Sequence, residues 1–358
     1  MNGARLQKVR QQMEKRNIDA LLINNISNIW YVSGFSGSMG TVVITPDRAI
    51  LLVDGRYILQ ATQQAKGFEI VEYHQAIDPF EAASGQLNKL GAKRVGFESD
   101  YLNYSSFMRL RELVSDSIEL IPVQRTIEEV RIVKEPYEIE LTRKAVKMAD
   151  DCFNHLVTVI KPGMTEREIS FEIVKYLFEH GSDQLAFESI VAAGPHAAVP
   201  HFKPTDTVVE RGQMVKVDFG AVVNGYLSDL TRTVFLGEPD EKQREVYNVV
   251  LEAQLAAIDA IRPGKKGKEI DAVARNYIAS KGYGEYFIHN LGHNIPKNDG
   301  PGFTPESETI LKPGMILTVE PGIYIEGWGG VRIEDDVVVT DSGVEILTEA
   351  TKDIIVIS

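Results

Sequence analysis

One cysteine, Cys152, is the only thiol in this chain of 358 residues. No disulfide can form within it, and a reducing, cytoplasmic setting is expected. Basic residues are in deficit, with 38 Lys and Arg against 51 Asp and Glu and a net charge of -13. That balance excludes the broad basic face needed for non-specific nucleic-acid binding. No run of about 18 apolar residues occurs, so no membrane span is expected. The first residues, MNGARLQKVRQQMEKRN, are polar and helical in pattern, unlike a secretion signal. A soluble intracellular protein with neither a nucleic-acid nor a membrane partner follows as the expectation.

What is present is a large apolar share, 44% of the residues, which is ample for a core. The length exceeds one typical domain, so two are expected. Apolar residues at helical spacing (Leu6, Val9, Met13) open the chain, and Asp19 to Ile23 reads as a buried strand. Further strands are read at 40–44, 49–53 and 94–97, with helices at about 56–66, 78–90 and 103–116. This alternation predicts a compact α/β domain over residues 1–125. Ile121-Pro122-Val123 and the charged stretch to Pro136 read as a linker, and a second domain occupies 126–358, beginning with a long helix over 136–160.

The second domain repeats itself. Ile160-Lys161-Pro162-Gly163 recurs as Ile261-Arg262-Pro263-Gly264, Glu168-Ile169 as Glu269-Ile270, and His180-Gly181 as Lys281-Gly282, all offset by 101 positions. Gly212, Val217 and Asp218 then match Gly314, Val319 and Glu320 at an offset of 102. Two similar halves are implied, each running helix, Pro-Gly turn, helix, Gly stop and an apolar strand ending in a carboxylate.

Asn224-Gly225 is the strongest short turn signal for a hairpin. With those two residues as the loop, opposed residues have numbers summing to 449, so Asp218 faces Thr231 and Asp229 is its same-face diagonal neighbour. Carboxylates so close repel unless a cation joins them; taken alone, the hairpin fits a solvated pair of acids as well. A second pair lies at Glu320, before Pro321, and at Glu334, after the apolar Val331-Arg332-Ile333. Proline at a strand end or bulge lets the Glu320 side chain be re-aimed. Of the seven histidines, His293 follows Gly292, His289 lies four residues before it, and His201 sits in a Gly/Pro-rich loop. An oxygen-rich set with one imidazole suits a pair of hard or borderline divalent ions better than a structural zinc.

In order, Asp218, Asp229, His293, Glu320 and Glu334 resemble the ligand set of the pita-bread metallopeptidases. Val217-Asp218-Phe219-Gly220-Ala221, Ser228-Asp229-Leu230-Thr231-Arg232-Thr233 and Thr318-Val319-Glu320-Pro321-Gly322 are similar to the proline-specific branch, that of prolidase and aminopeptidase P. Tyr31-Val32-Ser33-Gly34 and Asp54-Gly55-Arg56-Tyr57 resemble that branch's creatinase-type N-terminal domain, so the likeness covers essentially the whole chain.

The resemblance implies an α/β (α+β) protein, a creatinase-like domain followed by a pita-bread domain of two similar halves. It implies two divalent ions, manganese first, with cobalt or zinc as alternatives, held by the five residues. A metal-bridging hydroxide would cleave the bond before proline in dipeptides or short peptides. Glu320 would be ligand and proton acceptor. His201 and His289 would line the pocket, and Arg332 would support the ligands or meet a substrate carboxylate. A homodimer is also implied. One departure stands out: the family usually carries a second histidine seven positions after the ligand, where this chain has Gly300, and no histidine follows His293. Asn298 and Asp299 are the nearby polar residues that would substitute. The altered loop keeps a hydrolase of the same fold with a non-proline or non-peptide substrate as an alternative, and a non-catalytic metal-binding or interaction protein as another.

Overall fold

The structure is a computed structural model that describes residues 2–358, the side chains of Asn2 and Asn298 lying outside the described set. The chain forms two compact units, Met1–Arg131 and Ile132–Ser358.

The first unit is a six-stranded mixed sheet wrapped by helices. Its strands are β1 (Ala20–Ile23), β2 (Thr41–Ile44), β3 (Ala49–Asp54), β4 (Glu69–Tyr73), β5 (Arg94–Glu98) and β6 (Glu119–Val123), in the order β4-β3-β2-β1-β5-β6. Its helices are α1 (Asn2–Lys15), α2 (Ile26–Ser33), α3 (Ile58–Gln64), α4 (Pro79–Leu90), α5 (Tyr104–Leu113) and α6 (Glu128–Arg131). Strand alternation serves both faces. Leu21, Val42 and Leu51 pack with Val9 of α1 and Ile29 of α2, whereas Leu22, Val43 and Leu52 pack with Leu87 of α4 and Leu110 of α5. The expected linker at 121–136 is not one. Residues 119–123 pair in parallel with β5, and 128–131 are helical. Pro122 is tolerated because β6 is an edge strand, where a missing N–H costs no ladder bond.

The second unit shows the duplication in three dimensions. Helices α7 (Pro136–Val159) and α8 (Glu166–Glu179) precede strands β7 (Ile190–Ala193), β8 (Met214–Phe219), β9 (Val222–Val223), β10 (Tyr226–Leu227) and β11 (Leu230–Leu236). Helices α9 (Glu241–Ala260) and α10 (Gly267–Ser280) precede β12 (Ile316–Val319), β13 (Gly322–Ile325), β14 (Gly329–Arg332), β15 (Asp335–Val339) and β16 (Val344–Ile346), and β17 (Val356–Ile357) closes the chain. One sheet runs β17-β11-β8-β7 and the other β12-β15-β16. The Pro-Gly turns match in detail, with Gly163 at φ 96° and Gly264 at φ 87°, values that favour glycine. Helices α8 and α10 each begin with a glutamate, Glu168 or Glu269, accepting the backbone N–H three residues earlier at 2.7 Å. The bridge Thr165↔Val208 in one half has its counterpart in Lys266↔Ile310. Each sheet buries one face under its own helix pair: Val215, Val217 and Phe219 under α7 and α8, and Leu317, Val319 and Val337 under α9 and α10.

Candidate metal centre

The residues between those buried ones face the other way. On β8, Lys216 and Asp218 alternate with Val215, Val217 and Phe219; on β12, Thr318 and then Glu320 alternate with Leu317 and Val319. The Asn224-Gly225 turn has both residues at positive φ (49° and 79°), and the register pairs Thr231 with Asp218 and Leu230 with Phe219. Asp229 therefore lies on Asp218's face, as the sequence predicts. In the other half Val319 pairs with Asp335, and Pro321 ends β12 so that Glu320 turns inward; its N–H donates to the Leu291 carbonyl at 2.8 Å.

A cavity of about 1130 Å³ opens within the second unit, and Asp218, Asp229, His293, Glu320, Glu334, Arg332, His201 and His289 all line it. One donor atom each from Asp229, His293 and Glu334 lies within 4.8 Å of the others. His293 Nε2 is 3.5 Å from Asp229 Oδ2 and 3.5 Å from Glu320 Oε1. Its Nδ1 lies 3.0 Å from the Asn294 carbonyl, so Nδ1 carries the proton and Nε2 presents a lone pair to the acids.

Supporting groups hold the carboxylates. Thr231 Oγ1 donates to Glu334 Oε2 at 2.6 Å, and Thr318 Oγ1 donates to Glu320 Oε1 at 3.1 Å. Arg232, buried, grips the Glu334 carbonyl and donates to Asp335 Oδ1 at 2.8 Å. Arg332 is 2% exposed and most of its donors are committed: Nη2 to Asp218 Oδ2, Nε to Thr231 Oγ1 (2.9 Å), and Nη1 to Tyr324 Oη (3.1 Å) and the Pro200 carbonyl (3.2 Å). It braces Asp218 and Thr231 and is poorly placed to clasp a substrate.

Charge is the outstanding feature. Burial, then the neighbouring Glu334 and Asp218, push the Asp229 carboxyl well above its usual range. Burial, then Glu320 and Asp218, do the same to Glu334, and burial raises Glu320 against the pull of His293 and Arg332. Buried like charges demand a compensating cation. Asp218 Oδ1 is buried with no hydrogen-bond partner. That orphaned oxygen and the oxygen-rich donor set fit divalent metal ions.

The two other histidines differ. His289 Nδ1 lies 2.7 Å from the Asn290 carbonyl and Nε2 lies 2.8 Å from Tyr324 Oη, so both ring nitrogens are engaged. Burial, then the charge of Arg332, pushes its imidazole down to about 3, so it is neutral at neutral pH. His201 is exposed on the cavity wall, and burial followed by the charges of Arg332 and Lys297 lowers its pKa too. Its loop is clamped from beneath. Lys216, fully buried, donates from Nζ to the carbonyls of Ala197 (3.2 Å), Val199 (2.8 Å) and Pro200 (3.3 Å). Thr231, Thr318, Tyr324 and Lys216 escaped the sequence reading. The two threonines and Lys216 shared one signal, a same-face spacing of two residues from Asp229, Glu320 and Asp218; Tyr324 had none.

Asp299 does not replace the missing histidine in the cavity. It is fully buried and bound to Lys134 Nζ at 2.8 Å. The side chain of Asn298 lies outside the described residues.

Among the described residues no helix is long and apolar enough to cross a membrane. Residues 140–341 match metallopeptidase family M24, and residues 5–133 match the creatinase/prolidase N-terminal domain. A solved Xaa-Pro dipeptidase from Bacillus anthracis superposes with a TM-score of 0.95 at 41% identity, covering 99% of this chain and 100% of that one. A solved X-Pro aminopeptidase from Thermotoga maritima gives 0.88 at 37% identity, over 97% and 99%. The Xaa-Pro dipeptidase of Pyrococcus furiosus is 36% identical over 98% of this chain and 99% of its own.

Proposed function

This chain belongs to metallopeptidase family M24, and from that membership we propose that it hydrolyses the Xaa-Pro bond at the N-terminus of dipeptides or short peptides. The observation that carries the reading is the convergence of Asp229, His293 and Glu334 within 4.8 Å, in a cavity that Asp218 and Glu320 also line. Kinship with two Xaa-Pro dipeptidases and an X-Pro aminopeptidase supplies the substrate class.

The five residues Asp218, Asp229, His293, Glu320 and Glu334 would hold two divalent ions, manganese first and cobalt or zinc as alternatives. Bound there, such ions lower the pKa of the attacking water to a hydroxide-forming range and polarise the scissile carbonyl. Glu320 takes the proton that the water gives up and returns it to the proline nitrogen as the C–N bond breaks. Arg332 keeps Asp218 aimed at the centre. His289, with both nitrogens engaged, serves as a neutral wall beside the substrate, and His201 offers a neutral ring nitrogen to it. A cytoplasmic homodimer is proposed on the resemblance to the proline-specific branch alone.

A second reading, a hydrolase of the same family with a non-proline substrate, is favoured by the loop after His293, which carries Lys297 and no histidine. The test that separates the two loads metal-free protein with manganese, cobalt or zinc. It then compares release of alanine from Ala-Pro, Ala-Pro-Ala and Ala-Ala. Metal-dependent turnover confined to the proline peptides is expected; turnover of Ala-Ala alone would select the second reading.

A further inference from the structure

The loop that carries His201 is held at both ends by one carboxylate. Glu166, fully buried in the first turn of α8, accepts from the Ala193 N–H at Oε1 (3.0 Å), where the loop begins. At Oε2 it accepts from the Thr205 N–H (3.1 Å) and Thr205 Oγ1 (2.7 Å), where the loop ends. Backbone bonds double that second tie: Glu166 N–H donates to the Thr207 carbonyl at 3.1 Å, and Arg167 N–H to the Thr205 carbonyl at 3.0 Å.

His196 joins this anchor to the middle of the loop. Its Nδ1 lies 2.8 Å from Glu166 Oε1. Both carboxylate oxygens already accept N–H groups, so Nδ1 is the donor. The face of the same ring stacks on Phe202, with centroids 4.3 Å apart and planes 25° from parallel. Phe202 adjoins His201, and both line the cavity, whereas His196 is not part of the lining. Lys216 fixes the loop carbonyls only as far as Pro200. Beyond Pro200, the stack on Phe202 takes over. One half-buried imidazole thus bridges a fully buried carboxylate and the neighbour of a pocket histidine.

We propose that His196 is a positioning residue, tying Phe202 to the Glu166 anchor and so setting the His201 imidazole against the substrate. The proposal rests on the Xaa-Pro reading above, in which His201 meets the substrate, and deepens it. His196 itself touches no substrate and acts through its neighbour.

The test uses the manganese-loaded full chain and three variants. His196→Ala breaks both links. His196→Phe keeps a ring on Phe202 and loses the donor, and His196→Asn keeps a donor near Nδ1 and loses the ring. His196→Ala is expected to lower kcat/KM for Ala-Pro about five- to tenfold, less than the roughly hundredfold that a 1 Å misplacement can cost. Each of the other two should recover part of that loss. Wild-type kcat/KM in His196→Ala, or recovery in neither of the others, would overturn the proposal. Ring-proton NMR on the zinc-loaded chain separates positioning from support of the fold, the His201 signal being the one that vanishes in His201→Ala. Burial, then the charges of Arg332 and Lys297, hold that ring below its ordinary 6.5. In His196→Ala its midpoint should rise towards 6.5 as the ring loses its place. An unmoved midpoint would overturn the proposal, whatever the activity. Failure of wild type to cleave Ala-Pro would instead sink the Xaa-Pro reading, and the midpoint would still decide whether His196 positions His201.

Discussion

Lys134 and Asp299 meet 2.8 Å apart, both almost wholly buried and 165 residues apart in sequence. The pair ties the loop that follows His293 to the start of α7. Asp299→Ala removes one partner of the buried Lys134 ammonium, so a stability loss of about 1–3 kcal/mol in urea unfolding is expected. The pH–rate profile of whatever activity remains should keep the shape seen in wild type. A lost acidic or basic limb would instead make Asp299 an acid–base group.

Lys216 offers a second test. Lys216→Met keeps the length and removes three donors from the carbonyls of the His201 loop. Unfolding should become easier by about 1–3 kcal/mol through unpaired acceptors. The kcat/KM for Ala-Pro should fall roughly tenfold as His201 loses its position. If Lys216 acts through that loop, His201→Ala should cost much less in the Lys216→Met background than in wild type, a coupling that a double-mutant cycle measures. Additive losses would separate the two residues.

In the first unit, Glu98 is 6% exposed and accepts from Asn24 N–H (2.7 Å), Asn25 N–H (2.8 Å) and Asn28 Nδ2 (2.6 Å). Burial nevertheless pushes its carboxyl up to about 7, from a usual 4.5, against those bonds. A carboxyl raised on folding favours the folded state below its unfolded pKa and loses that advantage as pH rises through the folded value. Between about pH 4.5 and 7, stability should therefore fall by up to about 3 kcal/mol from this group. With metal occupancy held constant, denaturation across that window should show a shallower slope in Glu98→Gln than in wild type.

His289 makes an opposite statement about charge. Its imidazole sits at about 3, so no proton should add to it between pH 5 and 8. In ring-proton NMR its signals should stay flat over that range. In Tyr324→Phe, which deletes the hydroxyl donor to Nε2, its pKa should rise. A His289 titration near 6.5 in wild type would contradict the wall role given to it.

Much of the site was legible because its signals are local. Asn224-Gly225 fixed a two-residue turn, and counting outward from it placed Asp218 opposite Thr231, as observed. The offset of 101 between the Pro-Gly turns foretold paired helices and paired strands. The same locality explains the failures. Pro122 disguised an edge strand as a linker, because a strand's pairing partner is not written in its own residues. Helix α2 carried its signals, an Asn25 cap at 3.0 Å to Ser27 N–H and Gly34 at φ 78°, but its short apolar run lacked a long enough period to stand out. Asp299 read as a polar loop residue free to meet substrate, and only the fold brings Lys134 to it.

Metal content tests the central claim most directly. Wild-type protein equilibrated with manganese and freed of excess should retain about two ions per chain by elemental analysis, the stoichiometry expected of a two-metal hydrolase site. Asp229→Ala, which removes a member of the closest donor set, should retain fewer and lose Ala-Pro hydrolysis with them. Full manganese content in Asp229→Ala, or none in wild type, would contradict the account.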